Sequence, residues 1–232
     1  MFQNFLFLFQ SVKLDEAQPE KVSEGLLSTI ISSGPLGIAI VAILLVLAVI
    51  GFYIFFERYA TITRAGQVDQ SFMNNIRANV QSGNIQGAKA LCQTTDSPVA
   101  RMVEKGLQRI GKPLRDIDAA IENVGNLEIF KLEKNLSGLA NIAGAAPMIG
   151  FFGTVTGMIA AFYNMSHAEG GITPDKLAGG IYQALLTTAF GLLVGILAFV
   201  GYNILVAKVD KVVYQMERNT VEFMDLLQEP TA

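Results

Sequence analysis

The sequence is poor in residues that bind metals or form disulfides, since it contains one Cys and one His among 232 residues. This excludes a disulfide framework within the chain, a zinc cluster and any site that needs two ligands of those types. We therefore expect no cofactor. A basic surplus is also missing, because 17 Lys and Arg stand against 20 Asp and Glu and give a net charge of -3. Nucleic-acid binding thus lacks electrostatic support.

Charged residues of either sign are scarce, at 16% against about 25% in an ordinary soluble domain. Hydrophobic residues make up 51%, and the mean hydropathy is +0.42. The charge-free run 35–56 is long enough to cross a hydrocarbon core as a helix, which takes about 20 residues. Two longer runs lie between Lys134 and Glu169 and between Lys176 and Lys208. The sequence therefore predicts an all-α integral membrane protein with transmembrane helices at 35–56, 135–166 and 177–207.

The distribution of basic residues predicts the orientation of these spans, because Lys and Arg are retained on the cytoplasmic side. Segments 57–134 and 208–232 hold 14 of the 17 basic residues. We expect a cytoplasmic loop at 57–134, a cytoplasmic tail at 208–232, and a periplasmic N-terminal segment at 1–34 and turn at 167–176. The apolar segment 1–9 lacks the basic residues and the small-residue cleavage site of a signal peptide, so we do not interpret it as one. It either lies along the outer membrane surface, with Phe2, Phe5 and Phe9 on one face, or is a frayed terminus.

The 57–134 loop carries breaks at 82–84, 96–98 and 111–113, where Gly, Pro, Ser and Asn cluster. Apolar residues at helical spacing between the breaks predict four helical pieces. These residues are Val68, Phe72, Ile76, Ile85, Ala88, Leu91, Val99, Met102, Val103, Leu107, Ile110, Ile117, Ile121 and Val124. Because no breaker separates the last piece from the second span, we expect one continuous helix from Leu114 to Tyr163. The second and third transmembrane helices thus extend into a helical cytoplasmic region.

Three features that could carry chemistry are better explained structurally. The stretch from Gly106 to Lys112 resembles the opening of a phosphate loop, but Pro113 replaces the required Ser or Thr and no strand precedes it. A helix-ending glycine before a helix-starting proline explains the same residues. Cys92 is expected to be a buried, inert thiol, and His167 a solvated loop residue, with proton sensing as the alternative. No catalytic constellation is present, so we do not expect an enzyme.

Small residues in the second and third spans predict close helix packing, since little hydrophobic drive brings helices together in lipid. The predicted packing residues are Gly144, Pro147, Gly150, Gly153, Gly157, Gly191 and Gly195. A proline within a membrane helix is tolerated where neighbouring groups or water satisfy the freed carbonyl.

Polar residues in these spans are candidates for a functional interior. Thr156 is expected merely to bond its own helix. Gln183 must face protein or water, because its carboxamide cannot be satisfied on one helix. Helical geometry places Gln183 and Thr187 on one face and Thr188 about 140° from Gln183, so they line one interior or adjoining interfaces. No Asp, Glu, Lys or Arg lies within any span, so ion transport would need a charge from another subunit.

Two motifs resemble those of a known family. Residues 146–158 read A-P-M-I-G-F-F-G-T-V-T-G-M and resemble the A-P-x-x-G-L-x-G-T-V-x-G-M signature of the MotA/TolQ/ExbB proton channel family. Residues 181–192 read I-Y-Q-A-L-L-T-T-A-F-G-L and are similar to its third-span segment I-x-E-A-L-x-x-T-A-x-G-L. The loop from Leu91 to Leu107 is also similar, and the resemblance covers about residues 35–225. Three spans with an outside N-terminus fit the ExbB and TolQ branch.

The resemblance implies a bacterial inner-membrane homo-oligomer, a pentamer in the family, around an ExbD-like single-span partner with a membrane Asp. Its function would be to drive a TonB-like protein with the proton motive force. The family's pore-lining threonines fall on Thr154 and Thr188. Its third-span glutamate falls on Gln183, which disfavours protonation of this subunit. A TolQ-like subunit that serves envelope integrity and a non-conducting membrane scaffold are the alternatives.

Overall fold

A computed structural model describes residues 34–67, 70–167 and 174–228 of the chain. These residues form seven helices and no strand, which confirms the all-α prediction. The helices are α1 (Gly34–Ala65), α2 (Gln70–Gln81), α3 (Ile85–Thr94), α4 (Pro98–Leu107), α5 (Leu114–Glu133), α6 (Leu136–Ser166) and α7 (Pro174–Gln228). The predicted Phe2, Phe5 and Phe9 face and most of the turn at 167–176 lie outside the described residues.

Within the described part of the chain, three stretches are long and apolar enough to cross a membrane: Pro35–Ala65, Leu114–Ser166 and Leu177–Gln228. At most 39% of the most apolar part of any of these stretches is buried within the chain. Because exposing so much apolar surface to water is unfavourable, lipid or other protein chains must cover it. The prediction of three membrane-spanning helices is confirmed.

The continuous helix predicted from Leu114 to Tyr163 is wrong, because the chain breaks it at Lys134 and Asn135. Helix α5 ends at Glu133 and α6 begins at Leu136. Asn135 has φ 65°, in the left-handed region, and Lys134 is extended with ψ 133°. Asn visits the left-handed region more readily than most residues because its short polar side chain forms local hydrogen bonds. It therefore interrupts the helix without a Gly or Pro.

The described chain divides into two compact units, one of residues up to 45 with 147–192, and the other of 46–146 with 193 onward. The second unit contains α2 to α5, and its helices start where the sequence predicted breaks. The Asn84 side chain accepts a hydrogen bond from the Gly87 amide at 3.0 Å, and Ser97 accepts one from Ala100 at 3.1 Å. Gly83 and Gly111 have φ 74° and 94°.

The core of the second unit combines the interspan helices with the end of α7. Val68 lies outside the described residues. The other predicted apolar residues are largely buried, although Ile110 is 39% exposed because α4 ends before it. The buried set from both regions includes Phe72, Ile76, Val99, Val103, Leu107, Ile121, Val209, Val212, Met216, Phe223 and Leu226. The C-terminal part of α7 thus completes the helical core of the second unit.

Candidate functional site

The candidate site lies in the first unit, where α6 and α7 approach closely. A Cβ added to Gly150 would lie 2.9 Å from the Thr187 carbonyl oxygen and 3.0 Å from the Gly191 Cα. One added to Gly157 would lie 2.9 Å from the Ala184 Cβ. The glycines face one side of α6, so their missing side chains allow the two backbones to meet.

This approach gathers three threonine hydroxyls around the carbonyl oxygen of Gly150. The hydroxyl of Thr188 donates to that oxygen at 3.0 Å, and Thr187 and Thr154 lie within reach of it at 3.4 Å. Thr187 is only 5% exposed and makes its shortest bond, 2.7 Å, to the Ala184 carbonyl. Two membrane-depth helices are thereby joined by hydroxyl groups as well as by packing.

The Thr154 and Thr188 hydroxyls also contact each other, and either can be the donor. If Thr154 donates to Thr188, Thr188 donates to the Gly150 carbonyl. In the opposite arrangement Thr188 donates to Thr154, which donates to the Ala184 carbonyl at 3.3 Å. Each hydroxyl has one proton and two lone pairs, so both arrangements are chemically complete. The pair can reverse its direction of donation without moving either helix.

Thr154 also lines an open groove of about 500 Å³. The other lining residues are Val155, Met158, Ile159 and Phe162. Except for the threonine hydroxyl, this surface is apolar, so it can cover an apolar helix and solvate one polar group on it.

The structure brings together Thr154, Thr187 and Thr188 of the predicted site. Gln183 is half-buried one turn before Thr187. Thr156 bonds the Phe152 carbonyl at 2.9 Å, which confirms that it serves its own helix. Sequence reasoning missed the central role of the Gly150 carbonyl. The sequence signal for this role is a glycine, Gly150, in one small-residue span together with two adjacent threonines, Thr187 and Thr188, in the other.

The other predicted packing residues have different surroundings. Pro147 lies inside α6 and is half-buried, and Gly191 and Gly195 are buried. Gly144 is exposed, and a Cβ added there would meet no described atom within 4 Å. Any close packing at Gly144 must therefore involve a group outside the described part of this chain.

The site contains no group that can hold a charge, because no Asp, Glu, Lys or Arg occurs in 135–166 or 177–207. Among the described residues no group of three His, Cys, Asp or Glu could hold a metal ion. The arrangement can therefore solvate or relay a proton, but a stable protonated state requires a group from elsewhere.

A second polar cluster, which sequence reasoning missed, lies in the second unit. Arg101 pairs with Asp96 and with Glu128, each at 2.7 Å, and Lys131 pairs with Glu128 at 2.7 Å. Burial lowers the pKa of Arg101, but hydrogen bonds to Glu128 and Asp96 outweigh it and raise the pKa. The only sequence signal is the i, i+3 spacing of Glu128 and Lys131.

The structural explanations of the remaining motifs hold. A Cβ on Gly106 would lie 2.5 Å from the Phe223 ring, so an aromatic side chain occupies the space beside the supposed phosphate loop. Cys92 is buried, and burial, followed by the charge of Glu104, raises the pKa of its thiol to about 12. His167 is exposed at the end of α6, where its ring contacts Tyr163.

Comparison with known proteins identifies the family to which this arrangement belongs. The pattern of the MotA/TolQ/ExbB proton channel family matches residues 94–218. The chain is 25% identical to the Tol-Pal system protein TolQ of Pseudomonas aeruginosa, over 90% of this chain and 96% of that protein. It is 38% identical to TolQ of Haemophilus influenzae, over 44% of each chain. It is 24% identical to the biopolymer transport protein ExbB of Neisseria meningitidis serogroup B, over 75% of this chain and 84% of that protein. Several other matches cover less than half of the relative's length.

Proposed function

This chain belongs to the MotA/TolQ/ExbB proton channel family, and we propose that it is an ExbB-like subunit of a bacterial inner-membrane motor. The motor uses the proton motive force to energise TonB-dependent transport across the outer membrane. The observation that carries the proposal is the threonine cluster at Gly150 in spans that lack ionisable residues. Hydroxyl groups can solvate a moving charge but cannot store one, so the charge must come from a partner.

In the proposed assembly this chain forms a homopentamer around an ExbD-like single-span helix whose Asp carries the proton, and the complex acts on a TonB-like protein. Thr154, Thr187, Thr188 and Gln183 contribute to the proton pathway. The reversible Thr154–Thr188 pair supports this role, because it can donate toward a carboxylate or accept from a protonated one. The groove beside Thr154, which is apolar except for the threonine hydroxyl, has a surface suited to such a helix.

A TolQ-like role in envelope integrity is the second candidate. It is favoured by the match to the Pseudomonas aeruginosa TolQ, which covers 90% of this chain. The two roles share the same proton chemistry and differ in the protein that the motor drives. Identification of the proteins that co-purify from native membranes decides between them.

Proton flux into liposomes tests the mechanism. The chain alone should conduct poorly, since a bare proton has no base to hold it in a low-dielectric interior. The co-purified partner should create flux, and Asn in place of the partner's membrane Asp should abolish it with the complex intact. Equal flux in all three preparations would favour a leak or a non-conducting scaffold and contradict the proposal.

Thr154→Val and Thr154→Ser provide a matched test of the hydroxyl. One net hydrogen bond is worth about 0.5–1.5 kcal/mol, and about 1.4 kcal/mol is tenfold in rate. Thr154→Val in the paired complex should therefore lower flux about 2- to 10-fold, while Thr154→Ser should retain it. If Val and Ser variants of normal abundance conduct equally, the hydroxyl has no part in the pathway.

Labelling of introduced cysteines tests the proposed orientation, with the N-terminus periplasmic and the C-terminus cytoplasmic. Cys92 gives little background, because it is buried and its thiol pKa is about 12. A cysteine at exposed Gln108 should react only from the cytoplasm, and one at exposed His167 only from the periplasm. The reverse pattern in intact cells would overturn the orientation.

A further inference from the structure

A cavity of about 290 Å³ lies in the second unit, beside the ionic cluster of Arg101. Its polar lining consists of Thr61, Arg64, Asp96, Arg101, Glu128 and Lys131. Three of these residues are cationic and two are anionic, so the lining has an excess of one positive charge. The cavity is lined by side chains from α1, α4 and α5, together with Asp96 from the loop before α4, and it belongs to no part of the threonine site.

The ion pairs leave one cation available. Both carboxylates are used within the cluster, because Asp96 binds Arg101 while Glu128 binds Arg101 and Lys131. Arg64 is exposed and makes no ion pair with any residue that the structure describes. The cluster therefore fixes two cations against buried Glu128, and the cavity presents a third guanidinium that no carboxylate in 34–67, 70–167 or 174–228 neutralises.

The position of the cavity matches the headgroup layer of a bilayer. Thr61 follows Phe56, the last residue of the charge-free run, by five positions along α1. At about 1.5 Å per residue this distance is roughly 8 Å, and the headgroup layer is about 5–8 Å thick on each side. Arg64 lies one turn further along α1, and a long cationic side chain can extend toward this layer.

We propose that this cavity binds the phosphate group of an anionic phospholipid. Arg64 is the principal contact, Lys131 adds positive charge, and Thr61 adds a hydroxyl. A guanidinium is suited to phosphate because its planar N–H groups can form paired hydrogen bonds. The net excess of one positive charge selects a headgroup with net negative charge over a zwitterionic one. This proposal requires only that the three spans cross a membrane, and it is independent of the motor function.

Native mass spectrometry of the full-length, delipidated protein tests the proposal, with phosphatidylglycerol or phosphatidylcholine of equal chain length added back. Wild-type protein should retain phosphatidylglycerol preferentially. Arg64→Gln should weaken that binding about fivefold, the order of effect of one basic residue near an anionic surface, and Arg64→Lys should retain most of it. The control is Arg115→Gln, because Arg115 is exposed and lies about 24 Å from Lys131 along α5.

Equal retention of the two lipids, or equal loss in Arg64→Gln and Arg115→Gln, would overturn the proposal. Inorganic phosphate added at millimolar concentration distinguishes the source of the phosphate group. If it displaces phosphatidylglycerol, the site binds a soluble anion and the lipid assignment is wrong. If the lipid stays bound, the acyl chains contribute and the assignment is supported.

Discussion

Gly150→Ala tests whether the approach of α6 and α7 is set by the missing side chain at that position. The added methyl group would lie 2.9 Å from the Thr187 carbonyl oxygen, 3.0 Å from the Gly191 Cα and 3.2 Å from the Thr188 Cα. All three are backbone atoms, so no side chain can rotate away to make room. The helices must separate by several tenths of an ångström, which also lengthens the Thr188 bond to the Gly150 carbonyl.

The size of the effect follows from two opposing terms. Overpacking at such a contact costs about 1–3 kcal/mol, whereas Ala in place of Gly returns up to about 1 kcal/mol of helix propensity. Gly144→Ala and Gly179→Ala gain the same propensity without a clash, because no described atom lies within 4 Å of either added methyl group. The propensity term cancels in the comparison, so Gly150→Ala should be about 1–3 kcal/mol less stable than either control.

The assay is reversible unfolding of the purified protein in mixed detergent micelles, with helical circular dichroism as the readout. Proton flux of the paired complex is measured in parallel, and it should fall for Gly150→Ala and remain for Gly179→Ala. If Gly150→Ala is as stable as both controls, the close approach does not depend on this glycine and the packing argument fails.

Three further predictions concern the second unit. Asn135→Gly should be within about 0.5 kcal/mol of wild type in unfolding free energy, whereas Asn135→Ala should lose about 1–2 kcal/mol, and equal stability would show that the left-handed turn is not required. Phe223→Ala should lose about 3–5 kcal/mol, because the ring is fully buried against Gly106, while exposed Arg218→Ala should change by less than about 0.5 kcal/mol. Cys92 should resist maleimide at pH 8, and rapid labelling of the folded protein would contradict its burial. Because the folded pKa of its thiol, about 12, exceeds the ordinary value of 9.0, the contribution of this thiol to stability should persist below pH 9 and decline as the pH rises toward 12.

The sequence specified the helices well because their signals are local. Charge-free runs indicated the spans, and Ser97 before Pro98 indicated the start of α4 through capping chemistry. The interruption at Asn135 was missed because Asn is only a weak predictor of a left-handed backbone. Whether a given Asn adopts it depends on the surrounding structure.

The candidate site was only partly predictable for a different reason. Thr154 and Thr188 could be chosen from the sequence, but these residues are 34 positions apart. Their meeting at the Gly150 carbonyl depends on the relative rotation of α6 and α7. Gly144 illustrates the same limit. It is a glycine of the second span like Gly150, but no described atom lies within 4 Å of a Cβ added there. Small residues indicate that packing is possible, and the fold decides which of them is used.

The burial of Phe223 against Gly106 has a consequence for how the protein is made. Phe223 lies far beyond the end of α5 at Glu133 in the sequence, so α2 to α5 are synthesised before it. Until the end of α7 is made, the surface of α4 around Gly106 lacks the Phe223 ring that covers it. We expect nascent chains that stop before residue 205 to bind chaperones and to be cleaved between residues 66 and 114, and full-length chains to resist cleavage there. Protection of the truncated chains would show that the interspan helices fold without the C-terminus.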